Sequence, residues 1–298
     1  MTSPRQSHHT PPQDHLGRGI SLMLLATVLF SIADALGKQL TLGYPFVQII
    51  WLRSIFGIVM IGSVIIMSGK LGQFGSHRPR WHLARSVVGI LLTTGIFTGL
   101  KYIPLAEVTA IVFATPLIVA VYSSLFLREQ VKTSTYAAIV LGFVGVLLVV
   151  RPTPAHFHVA HLLMLGFALA SAFMSITARR LSATESVLTL NFYVYPLTAL
   201  VSTPSAIAQW QWPDTAGWAL FLAMSMFATM ALFCVTKAMH AARPAQIAPF
   251  DYARILWTLS IGYLVWGEFP DHLTWLGIVV IVLCGLFIVI PRKAPASP

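Results

Sequence analysis

The chain has 298 residues, of which 57% are hydrophobic and 9% charged, with a formal net charge of +10. An ordinary soluble domain carries about 25% charged residues, so a water-soluble fold is excluded. Apolar runs near the ~20 residues that a helix needs to cross a ~30 Å hydrocarbon core recur along almost the whole length.

The first eighteen residues are polar and proline-rich, which predicts a disordered cytoplasmic tail and argues against a cleaved signal peptide. Ten spans then follow, at 19–40, 46–67, 82–100, 105–127, 133–150, 159–178, 187–207, 217–235, 245–266 and 273–290, and residues 292–298 read as a second cytoplasmic tail. Because a backbone in lipid must satisfy its own hydrogen bonds, these spans are expected as helices. The fold class is all-α integral membrane, with ten transmembrane helices.

The charges follow membrane topology. Thirteen Lys and Arg residues of the tails and loops fall on one side, and only Lys38, Lys101 and Arg151 on the other. The positive-inside rule then puts both termini in the cytoplasm. The basic residues are spread over four loops and two tails, so no nucleic-acid surface is expected. Cys234 and Cys284 lie in apolar spans and read as buried packing residues, not a disulfide framework.

The stretch Phe30 to Lys38, "FSIADALGK", puts an aspartate and a lysine into the first span. A charge at the centre of a membrane helix costs roughly 2.5–3.5 kcal/mol on insertion scales and is kept where it pairs, snorkels or faces a polar cavity. At 1.5 Å per residue, Asp34 and Arg53 lie at nearly equal depth, roughly 9 and 10 Å below the outer end of spans one and two. They are expected as partners lining the outer pathway, with Lys38 pairing at i,i+4 or snorkelling. Asp251 and Arg254 in span nine share a helix face at i,i+3 and are expected to form an internal pair beside Pro249. Trp51, Tyr193 and Tyr252 stand near these polar positions, where their ring faces suit a planar or cationic ligand.

Arg85 and Glu107 lie near span ends and read as interface anchors. Pro196 in the seventh span reads as a local kink. His156, His158 and His161 form an "HFHVAH" cluster between the halves, but without Cys or carboxylate neighbours in sequence no metal site is expected. No cofactor motif and no HExxH, GxSxG or paired glycine-rich phosphate loop occurs, so an intramembrane enzyme is a remote alternative.

Shifting the chain by 139 residues lays Ala106–Pro152 over Ala245–Pro291 without a gap, so that Glu129 meets Glu268 and Pro152 meets Pro291. Two five-helix halves are implied, 19–152 and 153–291. Five is odd, so the second half enters the membrane from the opposite side as an inverted repeat. Pro116 in the fourth span and Pro249 in its counterpart, the ninth, mark interrupted helices in corresponding positions. Such interruptions are the best sequence pointer to a transport site, and both prolines are read as gating or hinge residues.

The segments "PLAEVTAIVFATPLIVAVYSSLFLREQ" and "ARPAQIAPFDYARILWTLSIGYLVWGEFPD", with "LFSIADALGKQL" and "YPFVQIIWLRSIFG", resemble the EamA family of the drug/metabolite transporter superfamily over roughly 19–292. The resemblance implies a 5+5 inverted arrangement and secondary transport of small organic metabolites across the inner membrane. It covers exporters of amino-acid-derived compounds and importers of S-adenosylmethionine and riboflavin. Export of an amino-acid-derived or zwitterionic metabolite by alternating access is the expectation, with cofactor uptake as the alternative. Asp34, Arg53, Asp251 and Arg254 would supply charge complementarity, and the carboxylates proton coupling. The partners expected are a small-molecule substrate and the lipid bilayer; oligomeric state is not legible.

Overall fold

The structure, a computed structural model, describes residues 16–127, 133–151, 157–181, 184–241 and 248–289. The expectations made for Glu129, His156 and most of both tails lie outside these residues. All regular elements among the described residues are helical. Five helices are long and apolar enough to cross a membrane singly.

The first span, α1 (Leu16–Gly43), begins three residues before the predicted boundary, inside the expected tail. It turns through Tyr44 and Pro45 into α2 (Phe46–Met67). A 3-10 turn at Leu71–Phe74 leads to α3 (Pro79–Tyr102), where the proline stands in the first turn, a position that needs no amide donor. The fourth span is two helices, α4 (Leu105–Val112) and α5 (Thr115–Leu127). Pro116 explains the break. It has no N–H to give the Val112 carbonyl four residues back, and its ring would clash with that carbonyl, so α4 ends at Val112.

After α6 (Thr133–Val150), the second half starts with α7 (Val159–Leu181). The seventh span also splits, into α8 (Val187–Phe192) and α9 (Val194–Ala208). Here Pro196 plays the part of Pro116: the residue four before it, Phe192, is the last of α8. Next comes α10 (Thr215–Ala241). The ninth span is a 3-10 helix, Ala248–Ala253, continued by α11 (Arg254–Trp266), and α12 (His272–Val289) completes the tenth.

Helix pairing follows the inverted repeat. The first span of each half packs on the third of the other, α1 on α10 and α7 on α3. Second spans pair as α2 with α9, and fifth spans as α6 with α12. First spans also touch the other half's fourth, α1 against α11 and α7 against α5. The halves therefore interlock instead of standing side by side. Where α6 and α12 cross, a Cβ built on Gly277 would stand 2.7 Å from the Gly145 carbonyl oxygen, so the backbones approach as close as glycine allows.

The two interruptions meet inside this frame. Offset by 139, the break at Phe113–Ala114 falls on Tyr252–Ala253, the last residues of the 3-10 helix. The counterparts Phe113 and Tyr252 are both buried and touch edge to face, with ring centroids 5.0 Å apart.

Candidate functional site

Asp34 faces α11 and forms a salt bridge with Arg254, the first residue after the 3-10 helix. Both side chains are nearly buried, 13% and 12% exposed. The Arg254 guanidinium also lies over the Phe30 ring, 5.0 Å from its centroid, one turn from Asp34 on α1. Asp34 thus pairs across the halves, and the expected Asp34–Arg53 pair is not the one formed. The reason is packing: α1 lies against α10 and α11, so equal depth on α1 and α2 does not bring their charges together.

The internal Asp251–Arg254 salt bridge is not made either, because Arg254 turns to Asp34. Asp251 has no hydrogen bond or salt bridge to a described residue and feels the Arg254 charge only from a distance. Beside it, three buried polar atoms lack a partner among the described residues: Tyr252 Oη, Arg254 Nε and Thr115 Oγ1. Thr115 is the repeat counterpart of Arg254. Buried polar groups are ordinarily satisfied; these atoms belong to the two interrupted spans, and the Tyr252 hydroxyl lies against Gly285 of α12. Pro116 occupies the first turn of α5 and Pro249 lies within the 3-10 helix, each on the interrupted element predicted for it.

Arg53 lies elsewhere. It lines a pocket of about 200 Å³ bounded by α2, α3, α7, α8, α9 and α10. Its guanidinium stands 5.8 Å from the Phe97 ring centroid. Phe97 in turn packs against Gly37, one turn from Asp34 on α1.

Both ends of the bundle are tied across the halves. At one end Lys38 pairs with Glu268, whose second oxygen accepts the Leu105 amide at 3.0 Å and so anchors the start of α4. Gly267, in the left-handed conformation at φ 68°, ends α11 and turns the chain so that Glu268 reaches back. Lys38 therefore neither pairs with Asp34 nor snorkels. Nearby, Arg151 pairs with Asp271, and His161 Nε2 lies 3.3 Å from a Glu107 oxygen. Hydrogen bonding from Arg151 holds the Asp271 carboxyl well below the usual carboxylate range.

At the opposite end Glu185 is bound by the Ser76 hydroxyl and the His77 amide, each at 2.9 Å, with His82 Nε2 at 3.6 Å. Burial alone would raise its carboxyl, but these donors outweigh burial and hold it below the usual range. Arg85 is buried and donates to the Met174 carbonyl and the Thr177 hydroxyl, joining α3 to α7. It is a tie between halves as much as an interface anchor.

Two aromatic candidates belong to the scaffold. Trp51 Nε1 donates to Thr203 Oγ1 at 2.9 Å and its ring meets Trp210 edge-on, fastening α2 to α9. Tyr193 fills the α8–α9 break, its hydroxyl donating to the Phe74 carbonyl at 2.7 Å. Tyr252 alone of the three is at the central crossing. Among the described residues no group of three or more His, Cys, Asp or Glu side chains could hold a metal ion. Sequence reasoning missed Phe30, Phe113 and Thr115. The 139-residue offset, which sets Phe113 on Tyr252 and Thr115 on Arg254, was the signal that could have found the last two.

A family model described as the EamA-like transporter family matches residues 17–151 and 158–290. Among curated proteins, an S-adenosylmethionine uptake transporter of Rickettsia prowazekii is 27% identical, covering 94% of this chain and 95% of its own. A riboflavin transporter of Vibrio cholerae is 28% identical over 92% and 93%. A pseudopaline exporter of Pseudomonas aeruginosa is 29% identical over 91% and 95%. One solved crystal structure shares the fold with a TM-score of 0.65 at 17% identity, covering 90% of this chain and 95% of that one.

Proposed function

We propose, given that this chain belongs to the EamA-like transporter family, that it is a secondary carrier exporting a small amino-acid-derived or zwitterionic metabolite across a bacterial inner membrane. It is a multi-pass membrane protein and a transporter of small molecules, not an enzyme. The reading of both termini as cytoplasmic rests on the Lys and Arg excess of the loops on their side, and the reading of alternating access rests on one observation above others. A cross-half ion pair, Asp34–Arg254, sits against two helix interruptions at equivalent positions of an inverted repeat.

Alternating access needs an element with two arrangements. Rocking one half against the other would part α1 from α11, so Asp34 and Arg254 separate in one state and each becomes free for the opposite charge of a zwitterion. Asp251 has no competing salt bridge and is suited to take up a proton in exchange. Lys38–Glu268 and Arg151–Asp271 would open at one end, and the Glu185 cluster at the other.

Metabolite profiling of cells and medium, with and without the gene, tests direction and substrate together. Export predicts a compound that accumulates inside the deletion strain and is missing from its medium. The S-adenosylmethionine uptake transporters among the relatives favour a second reading, uptake of that cofactor. Under it, the compound is left in the medium and depleted inside. In vesicles carrying the purified protein, Asp251→Asn should abolish the pH dependence of flux. Flux that keeps its pH response in both Asp251→Asn and Asp34→Asn sinks the coupling role.

A further inference from the structure

We infer that the Arg53 pocket is a subsite for the carboxylate of an elongated, amphipathic substrate, an inference that rests on the carrier reading above and narrows its substrate class. Arg53 starts the third turn of α2, roughly 10 Å inside the span. It makes no hydrogen bond or salt bridge among the described residues. The other described carboxylates near span ends and the centre are engaged elsewhere: Asp34 with Arg254, Glu107 with His161, Glu268 with Lys38, Asp271 with Arg151, Glu185 with Ser76 and His77, and Asp214 with the Gly217 amide. Asp251 belongs to the ninth span, and no element of that span lines this pocket.

A guanidinium without an anionic partner at such depth is unfavourable, and an anion in the cavity would relieve it. The guanidinium lies within cation–π reach of the Phe97 ring, 5.8 Å from its centroid, and donates to no described residue. A planar fork of donors matches a carboxylate with two parallel hydrogen bonds, which a lysine cannot reproduce.

The pocket also has a direction. A Cβ on Gly57 would stand 2.8 Å from the Tyr195 ring, which sets these two residues at one level. Arg53 lies one turn from Gly57 and Asn191 about one turn beyond Tyr195 on the opposite side, so the two polar groups are roughly 12 Å of helix axis apart. Asn191 too makes no hydrogen bond to a described residue. The rest of the wall is mainly apolar, with Leu92, Ile96, Phe167, Met174 and Leu232 beside the Tyr195 ring and Thr93, whose hydroxyl is bonded back to the Gly89 carbonyl. The occupant that fits carries a carboxylate at one end, an apolar or aromatic body, and a neutral hydrogen-bonding group at the other. At about 200 Å³ the pocket is below the ~300–1,000 Å³ usual for whole drug-sized ligands, which suits an amino-acid-sized compound or one end of a larger one.

The test uses the purified full-length protein, in detergent and in vesicles, with two matched probe pairs: L-tryptophan and tryptamine, and S-adenosylmethionine and its decarboxylated form. At least one carboxylate probe should raise the melting temperature, and its decarboxylated partner should not. Arg53→Gln should weaken that carboxylate probe about tenfold or more while leaving the unliganded melting temperature nearly unchanged. Arg53→Lys should recover part of the affinity, and Asn191→Ala should cost less. Equal stabilisation by both members of each pair, undiminished binding to Arg53→Gln, or no stabilisation by either carboxylate overturns the subsite. Flux separates this failure from that of the carrier. Vesicles that move acid and decarboxylated probes at equal rates discard the subsite and keep the carrier, whereas vesicles that move none of the four discard both.

Discussion

Arg254 and Arg53 are the same chemical group at comparable depths, one in each half, and the protein treats them in opposite ways. Arg254 sits at the crossing of two broken helices with Asp34 against it and Phe30 over it. Arg53 has an aromatic ring on one side and a cavity on the other. A charge can be kept inside a membrane protein by satisfying it permanently or by leaving its satisfaction to something that comes and goes. The first makes a joint between moving parts, and the second makes a place to bind.

Removing one charge in each region should give unequal losses. Asp34→Asn or Arg254→Gln leaves a buried charge without its partner, which costs about 3–5 kcal/mol. Thermal unfolding in detergent should show a large drop for either variant. The double neutral variant should regain part of the loss, and a strictly additive double variant would mean that the pair is not coupled. Arg53→Gln should move stability by no more than about 1 kcal/mol, since no described carboxylate loses a partner.

Lys38–Glu268 tests whether a pair nearer the surface behaves as the central one does. Glu268→Gln weakens two contacts, to Lys38 and to the Leu105 amide, and charged hydrogen bonds are worth about 1.5–3 kcal/mol each. The side chain of Glu268 is 27% exposed, so water offsets part of this and the lower figure is expected. Gly277→Ala isolates packing from charge. Its methyl group must push α12 from the Gly145 carbonyl, with a loss of about 1–3 kcal/mol and no change in the salt dependence of stability.

Among the engaged carboxylates the smallest effect is expected at Glu185. Its carboxyl is held below the ordinary carboxylate value of ~4.3 in the folded protein. Its contribution is therefore fully present above that ordinary value and is lost as pH falls through the folded one. Wild type should exceed Glu185→Gln by about 1 kcal/mol at neutral pH. The gap should close in acid, and a gap that stays constant down to pH 3 would show that the charge contributes nothing.

Span number, the repeat and the proline breaks were legible because they depend on local rules. Apolar run length reports the bilayer thickness, and a missing N–H four residues after a carbonyl breaks the helix at two of the span prolines, although α9 runs through Pro204. Pro116 and Pro196 both obey this, with Val112 and Phe192 as the last residues before the breaks. The ninth span was different. Its 3-10 helix runs to Ala253 although Ile255, not proline, stands where Pro116 does, so Pro249 marked the interrupted element without marking where the interruption ends.

The membrane charges were recognised as significant but their partners were misjudged. Depth along a helix follows from the sequence, because rise per residue is constant. Which neighbour a helix face meets does not. Consecutive helices need not pack closely, and here α1 lies on α10 and α11, which carries Asp34 to Arg254 and Lys38 to Glu268. The sequence by itself determined that this chain is a membrane bundle of two inverted halves with a few retained charges, since hydropathy and repetition are written along the chain. Only the tertiary structure decided which charges are spent on each other and which face a cavity, since that depends on how the halves interlock in three dimensions.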